Sequence, residues 1–436
     1  MKVFFRLIFL LFLLSTAHAQ TPEPADTLTK PSPAVERLKY QQQPGLALAA
    51  SKIFFSDKRY SISGFGEFNF VNYQGTKNTN SGDIELYYTN LYRYATFFGY
   101  RITDKIIWNS EFQIEYLHDG TREGRHEIVV EAFVDFLVSD YFKARVGFYP
   151  LPIGYVNNND EPVMFYSVNR SEVERLITPT TWIELGAMFY GNITPTFSYA
   201  LGVSQGLDAA QYVSGTWIRQ GRDIRFGVPR SLSLVPQLNY TGVPGLTVSA
   251  SGYVGNSGQG ARVEDDAGER QIKAPIRLGT GYVKYDWMNL RFVSVGTYGT
   301  LGDTYPIYQL GLQQAGQGQV LGQETFGYLF ELGVDILPYF RKSTPHESHQ
   351  KNWLFDRSEM KVPLFVRYER LNTHRKVDER LTTLPRVQND LDILTVGANF
   401  NTRENIVFKA NYQFRTNRNR ALREPHILEF GMGFIF

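Results

Sequence analysis

The chain ends on the stretch His426-Ile-Leu-Glu-Phe-Gly-Met-Gly-Phe-Ile-Phe436. Every second residue from Leu428 to Phe436 is large and apolar, whereas Glu429, Gly431 and Gly433 between them are charged or small. Successive side chains of a strand point to opposite faces, so the stretch predicts a strand with one wholly apolar face. A soluble sandwich would seldom expose such a face at an unpaired edge. A strand between lipid and a wet lumen requires it, and we expect Phe436 to act as an insertion signal for the barrel-insertion machinery.

The N-terminus predicts export. Lys2 and Arg6 flank an apolar run that is followed by Ala17-His18-Ala19, the arrangement of a signal peptide with its cleavage site. We therefore expect residues 1–19 to be removed. The chain contains no cysteine, so the exported protein would have to be stable without disulfides.

The composition favours a membrane barrel. Aromatic residues make up 15% of the chain, with 32 Phe and 27 Tyr, as the aromatic girdles of such barrels require. The formal net charge is only +2, so no nucleic-acid partner is predicted. Residues 20–58 hold five prolines and a glutamine run, which predicts a flexible periplasmic arm before a barrel at residues 59–436.

Period-two alternation of apolar and polar residues begins at Tyr60 and continues to the C-terminus. It predicts an all-β, transmembrane antiparallel barrel of about 16 strands. Five well-phased strands begin near residues 60, 84, 106, 127 and 142. Eleven more are predicted near 182–191, 195–205, 223–240, 245–255, 275–286, 290–300, 323–336, 362–371, 391–400, 405–415 and 426–436. Short turns are expected to alternate with long loops, with 337–361 as an unexplained long exception.

The longest predicted loop, 150–181, joins strands five and six. A loop of this length in a compact fold is usually functional or disordered. Its apolar residues argue against disorder, because they need a surface to pack on. We expect it to fold into the lumen as a constriction whose charges set the field that permeant ions meet; these are Arg170, Glu172, Glu174 and Arg175. A lid over the barrel mouth or a subunit contact is the alternative.

The polar faces of the strands predict which charges line the lumen, where a narrow pore focuses the field of its wall. The predicted basic set is Lys143, Arg145, Arg367 and Lys409, and the acidic set is Glu111, Glu115, Glu131 and Asp135. The alternative is that these groups pair across neighbouring strands and only keep the lumen wet.

Catalytic chemistry is not predicted. The seven histidines lie in the signal, in loops or at strand ends, and their spacing supports no Ser/His/Asp arrangement. His346-x-x-His349 lies in a loop rather than on a helix, so neither a metal site nor any other cofactor is predicted. Two alternatives stay open: a barrel-embedded hydrolase, and a closed barrel associated with adhesion or secretion.

Several stretches resemble the phosphate-selective porin family of the porin O and P type. They are Ala144–Gly154 (ARVGFYPLPIG), Pro363–Arg370 (PLFVRYER), Thr395–Phe400 (TVGANF) and Asn405–Phe414 (NIVFKANYQF). The resemblance runs from about residue 60 to the end. It implies a sixteen-stranded, trimeric, passive outer-membrane channel with an inward-folded loop between strands five and six.

The chain departs from that family in its charges. Family members that select phosphate line the pore with an arginine ladder above a lysine cluster. Here four acidic residues of the loop, Asp160, Glu161, Glu172 and Glu174, outnumber Arg170 and Arg175. We expect an outer-membrane porin for small hydrophilic solutes, with anions such as phosphate as candidates and a local anion site at Lys143, Arg145, Arg367 and Lys409.

Overall fold

The computed structural model describes residues 43–73, 90–118, 124–222, 228–265, 268–340, 358–420, 422 and 424–436. Within them the chain forms eighteen strands. They are β1 Tyr60–Tyr73, β2 Asn90–Thr103, β3 Ile106–His118, β4 Gly124–Phe136, β5 Lys143–Pro150, β6 Ile183–Asn192, β7 Phe197–Gln205, β8 Leu232–Tyr240, β9 Leu246–Asn256, β10 Arg262–Asp265, β11 Gly268–Gln271, β12 Pro275–Trp287, β13 Leu290–Leu301, β14 Glu324–Asp335, β15 Pro363–Lys376, β16 Asp390–Arg403, β17 Ile406–Asn417 and β18 Ile427–Ile435.

Sixteen of these described strands close into one antiparallel barrel. Each strand pairs with its neighbours in the chain, except that β9 pairs directly with β12 because β10 and β11 form a separate hairpin. The first strand pairs with the last, from Phe65 opposite Ile435 to Tyr73 opposite Ile427. Closure leaves no open sheet edge, and the predicted sixteen-stranded antiparallel barrel is confirmed.

The two faces of the barrel wall differ sharply. Large apolar side chains alternate outward along the strands and are exposed, as for Phe70, Tyr92, Ile128 and Phe430. The inward positions between them hold buried polar and charged side chains. A soluble monomer rarely exposes a continuous apolar surface of this extent, whereas a lipid-facing barrel needs one.

The connections alternate in length around the barrel. Short turns follow β2, β6, β8, β12 and β16, whereas longer connections follow β5, β7, β9, β13 and β15. We call the two ends of the barrel the short-turn end and the long-loop end. Both chain termini of the barrel lie at the short-turn end, as an even strand number requires. The connection between β14 and β15 is the predicted exception, and its residues 341–357 lie outside the described part.

The α-helices of the described residues lie in the connections between barrel strands. They are α1 Glu172–Leu176, α2 Thr304–Ala315 and α3 Leu337–Phe340. Within the described ranges no helix has the length and apolar character needed to cross a bilayer.

Two features differ from the prediction. Strand β8 begins at Leu232 rather than near 223, and residues 223–227 are not described. The hairpin β10–β11 falls in a stretch predicted as loop. All four residues of β11 are exposed, and β10 has a single apolar residue, the buried Val263, so the hairpin lacks the repeated alternation that reveals a strand.

The described end of the predicted arm packs against the barrel. Ala50–Phe55 form a 3₁₀ helix, and Leu46, Ser51 and Ile53 are fully buried. The Nδ2 of Asn109 on β3 donates to the Ala50 carbonyl at 2.8 Å, and the Oγ of Ser63 on β1 donates to the Ala49 carbonyl at 2.6 Å. We call residues 43–56 the inner segment. Residues 1–42, with the predicted cleavage site, lie outside the described residues.

The C-terminal residue predicts a test of barrel closure. Phe436 exchanges two backbone hydrogen bonds with Gly64, at 2.9 and 3.0 Å, and its ring stacks on Tyr94. Deleting Phe436 should lower the yield of folded protein in the membrane, because it removes both the last bonds of the β1–β18 seam and the proposed insertion signal. Heat-modifiable gel mobility of membrane fractions measures this. Phe436→Ala keeps the backbone bonds, so normal yield in that variant would exclude a role for the ring.

Candidate functional site

The long connection between β5 and β6, residues 151–182, lies against inward-facing side chains of the barrel. Arg93 on β2 is the first contact. Its Nη1 lies 2.7 Å from Asp160 Oδ2, and its Nε lies 2.7 Å from Glu67 Oε1 on β1. Arg170 also pairs with Asp160. Between these two cations the pKa of the Asp160 carboxyl is lowered, although burial alone would raise it.

Strands β15 and β17, on the other side of β1 and β18, hold the same connection by hydrogen bonds to its backbone. The Nζ of Lys409 on β17 donates to the carbonyls of Phe165 and Ser167 at 2.8 and 2.9 Å. The Glu369 carboxylate on β15 accepts from the backbone N–H of Glu172 at 2.8 Å. Asn411 Oδ1 accepts from Val168 N–H at 2.7 Å. The connection therefore reaches across the lumen from β5 and β6, which it joins, to β15–β17 on the far side of the closed barrel.

Inward-facing glycines let the connection approach the wall closely. A Cβ at Gly431 would lie 3.0 Å from Val168 Cγ1, and a Cβ at Gly433 would collide with the Pro162 ring. These are two of the small residues that alternate with the apolar ones in the terminal strand. Their lack of a side chain thus makes room inside the barrel.

The four predicted constriction charges are all paired. Ser171 caps α1 by accepting from Glu174 N–H, as an N-cap serine does. Glu172 accepts from Arg175 Nε at 2.8 Å and from Arg415 Nη1 at 3.1 Å. Glu174 Oε1 accepts from the N–H groups of Tyr155 and Val156 at 2.5 and 2.9 Å, and burial raises its pKa to about 7. These contacts hold the fold of the connection; a role in setting the field for ions stays a prediction.

The inner segment meets the same connection. Glu161, which is fully buried, accepts from Ala49 N–H at 2.6 Å, and Asn158 Oδ1 accepts from Gly45 N–H at 3.2 Å. Burial raises the pKa of Glu161 to about 7, against the opposing effect of backbone hydrogen bonds from Ala49 and Leu48. The inner segment and residues 151–182 therefore form one packed body within the barrel, which we call the lumen insert.

Three of the four predicted lumen cations are engaged. Arg145 lies 3.0 Å from Asp135 and donates to the Pro44 carbonyl at 2.8 Å. Arg367 lies 2.8 Å from Glu369, and Lys409 holds the carbonyls described above. Lys143 is half-buried, with its Nζ 5.9 Å from the Tyr190 ring.

The predicted acids also lie on the inner wall. Glu111 and Glu131 are opposite each other on β3 and β4, and both are buried. Asp135 accepts from Tyr190 Oη at 2.7 Å as well as from Arg145. Glu115, less buried, accepts from Gln113 Nε2 at 2.8 Å. Asp135 and Arg145 therefore pair across neighbouring strands, as the alternative interpretation of the lumen charges predicts.

A cavity of about 260 Å³ remains beside the lumen insert at the short-turn end. Both parts of the lumen insert contribute to its lining, together with the strands β5–β9 and β12. The residues that line it are Gln43, Pro44, Lys143, Asn158, Tyr190, Gly191, Asn192, Pro195, Thr196, Phe197, Ser198, Gln237, Asn239, Thr241, Thr247 and Tyr282.

Solved barrels share this architecture. The outer-membrane channel DcaP of Acinetobacter baumannii aligns with a TM-score of 0.51 and 12% identity, over 86% of this chain and 97% of that chain. OmpF of Salmonella typhi, solved in complex with daunomycin, aligns with a TM-score of 0.49 and 9% identity, over 86% and 97%. The fold is that of a porin-type barrel.

Relatives by sequence are more limited. An uncharacterized protein of Aquifex aeolicus (strain VF5) is 29% identical over 383 residues, which are 86% of this chain and 79% of the relative. No family model matches the chain. The phosphate-selective subfamily suggested by the quoted stretches stays a prediction.

Sequence reasoning missed the inner segment. It assigned Leu46–Ala50 to a flexible arm because prolines and glutamines surround them. The apolar run Leu-Ala-Leu-Ala-Ala followed by Ile53 and Phe54 was the available signal, since such a run needs a surface to pack on. The contacts of Asp160 and Glu161 carried no local signal, because their partners lie far away in the chain.

The Arg145–Asp135 pair predicts a large effect on stability. Both side chains are fully buried, and the Arg145 guanidinium also lies 4.6 Å from the Phe133 ring. Arg145→Met should lower the free energy of unfolding by about 3–5 kcal/mol, because it leaves a buried carboxylate without its cation. Urea titration followed by gel mobility measures the loss. The double variant Arg145→Met/Asp135→Asn should recover much of it; equal losses in both variants would contradict the pairing argument.

Proposed function

We propose that this chain is an outer-membrane channel for the passive diffusion of small hydrophilic solutes. The supporting observation is a closed barrel with an apolar exterior and a polar interior that holds a long folded connection. A barrel of about 16 strands is wide enough for an aqueous lumen. In this proposal the lumen insert narrows the lumen, and the cavity at the short-turn end is part of the aqueous space that is left.

A second candidate, a barrel that is closed at rest, is favoured by the packing of the insert. Two pockets that the insert lines hold only about 20 Å³ each. One of these lies between the inner segment, Glu111 and Asp160. In this candidate function the insert plugs the lumen rather than narrowing it.

Two finer predictions belong to the proposal. Phosphate as a solute, and a homotrimer in the membrane, both come from the family resemblance. Phosphate block of ionic current and the mass of the protein in mild detergent would test them separately. Absence of catalytic activity and of a cofactor stays a prediction.

Single-channel current in a planar bilayer under a potassium chloride gradient tests the proposed function. Stepwise conductance from folded protein would support an open channel, and low phosphate that blocks an anion-selective current would support the phosphate prediction. A folded barrel without current would refute the open channel and favour the closed barrel.

A further inference from the structure

One arc of the inner wall carries no charge. Within the described strands β7, β8 and β9, the inward side chains are uncharged, and all except the apolar Val235 are small or polar. They are Ser198, Ala200, Gly202, Ser204, Ser233, Val235, Gln237, Asn239, Thr247, Ser249, Ser251 and Tyr253. We call these positions the uncharged arc. Three adjacent strands without a charge contrast with the rest of the wall.

Many charged side chains elsewhere on the wall are paired with other groups of the protein. Arg93 is paired with Glu67 and Asp160, Arg145 with Asp135, and Arg367 with Glu369. Arg415 lies 3.1 Å from Glu172, and Lys409 holds two carbonyls of the insert. An anion that entered would have to displace these buried partners, which is costly. These charged groups therefore help to hold the insert, as do Ser251 and Gln237 of the arc, which bind Gly154 and Asn158.

A cavity lies along the short-turn end of the uncharged arc. The cavity of about 260 Å³ is lined by Ser198, Gln237, Asn239 and Thr247 from the arc, and Lys143 is the one charged residue in its described lining. Its volume is near the lower end of the roughly 300–1,000 Å³ of small-molecule sites. Hydroxyl and amide groups both donate and accept, so they can replace the water around an uncharged polar solute. Tyr190, Phe197 and Tyr282 add apolar ring faces to the same cavity.

We propose that the uncharged arc selects uncharged, hydroxyl-rich solutes of monosaccharide size over ions of the same size. The inference rests on the proposed channel function and names its solute class. A polyol exchanges its hydrogen bonds with water for bonds to Ser, Thr, Asn and Gln side chains at little net loss. A charged solute loses part of its hydration beside a wall that offers no counter-charge apart from Lys143.

Liposome swelling with three solutes of matched size tests the proposal on the full-length protein. D-glucose is uncharged, gluconate carries a negative charge and glucosamine a positive one. We expect glucose to enter faster than either ion by on the order of tenfold, the factor that corresponds to about 1.4 kcal/mol. Asn239→Asp places a charge in the arc with little change of shape, and should speed glucosamine relative to glucose several-fold. Lys143→Gln removes the one cation of the lining and should slow gluconate relative to glucose.

The outcomes separate the two levels of inference. Swelling in none of the three solutes, from barrels with normal gel mobility, would refute the channel itself. Equal rates, or gluconate faster than glucose, would leave the channel intact and overturn the solute class. A glucose preference that Asn239→Asp does not alter would overturn the assignment to the arc. A lower ratio of the gluconate rate to the glucose rate in Lys143→Gln supports the cavity as part of the route, and an unchanged ratio overturns it.

Discussion

Replacement of residues 156–176 by a short glycine-serine linker is expected to raise the single-channel conductance several-fold. These residues form the centre of the lumen insert, where Val156, Val168, Val173 and Leu176 are buried. Without them the barrel would be closer to the open aqueous channel that 16–18 strands enclose. Planar-bilayer recording at fixed salt measures the change.

The hairpin β10–β11 provides the control for that replacement. Its strands are polar, and Arg262 pairs with Glu269 at an exposed site. Removing residues 262–271 shortens the chain without touching the insert, so conductance should stay at the wild-type level. An unchanged conductance in the linker variant, with normal folding, would show that the insert does not limit the current.

The strands could be predicted from the sequence because lipid and lumen impose opposite polarity on alternate residues. The terminal strand, for example, is β18 Ile427–Ile435, as its pattern predicted. The hairpin β10–β11 was not predicted because Val263 is the one apolar residue of its two strands, which leaves no repeated alternation to detect. The alternation of polar and apolar residues therefore arises from the contrast between lipid and lumen, and not from strand formation alone.

The site was predicted less completely, because its contacts join distant parts of the chain. The inward direction of Lys409 could be predicted from alternation, but its binding to the carbonyls of Phe165 and Ser167 could not. The charges of residues 170–175 could be predicted as a group from the sequence, but their contacts with Glu369 and Arg415, about 200 or more residues further along, could not. The role of Leu46–Ala50 required the barrel interior to be known.

Conductance is expected to rise between about pH 5 and pH 8. Glu161 joins the two halves of the lumen insert, and burial raises its pKa to about 7, above its model-peptide value. A carboxyl whose pKa is raised in the packed state favours packing while it is protonated, and this contribution is lost as the pH rises through about 7. The groups that face it are Asp160, Arg93 and the N–H groups of Ala49 and Leu48. Current recorded across this pH range measures the loosening of the insert.

Three variants assign that pH dependence. The Glu161→Gln variant has no ionisable group at this position, so its conductance should be the same at pH 5 and at pH 8. Deletion of the inner segment removes the partner of Glu161 and should raise conductance at both. Glu174, whose pKa is also raised to about 7, faces Glu369, Ser171 and the N–H groups of Tyr155 and Val156, so Glu174→Gln is the matched comparison. A pH response that survives in Glu161→Gln but not in Glu174→Gln would move the assignment to Glu174.

The position of the inner segment constrains the order of assembly. The segment precedes β1 in the chain, yet it contacts β1, β3 and the connection after β5. Once β18 pairs with β1, the only entrances are the two mouths of the barrel. The segment would therefore be recruited while the wall is still an open sheet, with the final seam sealing it inside. Pulse-labelled protein should then show protease protection of residues 43–56 no later than heat-resistant mobility; later protection would indicate entry through a mouth.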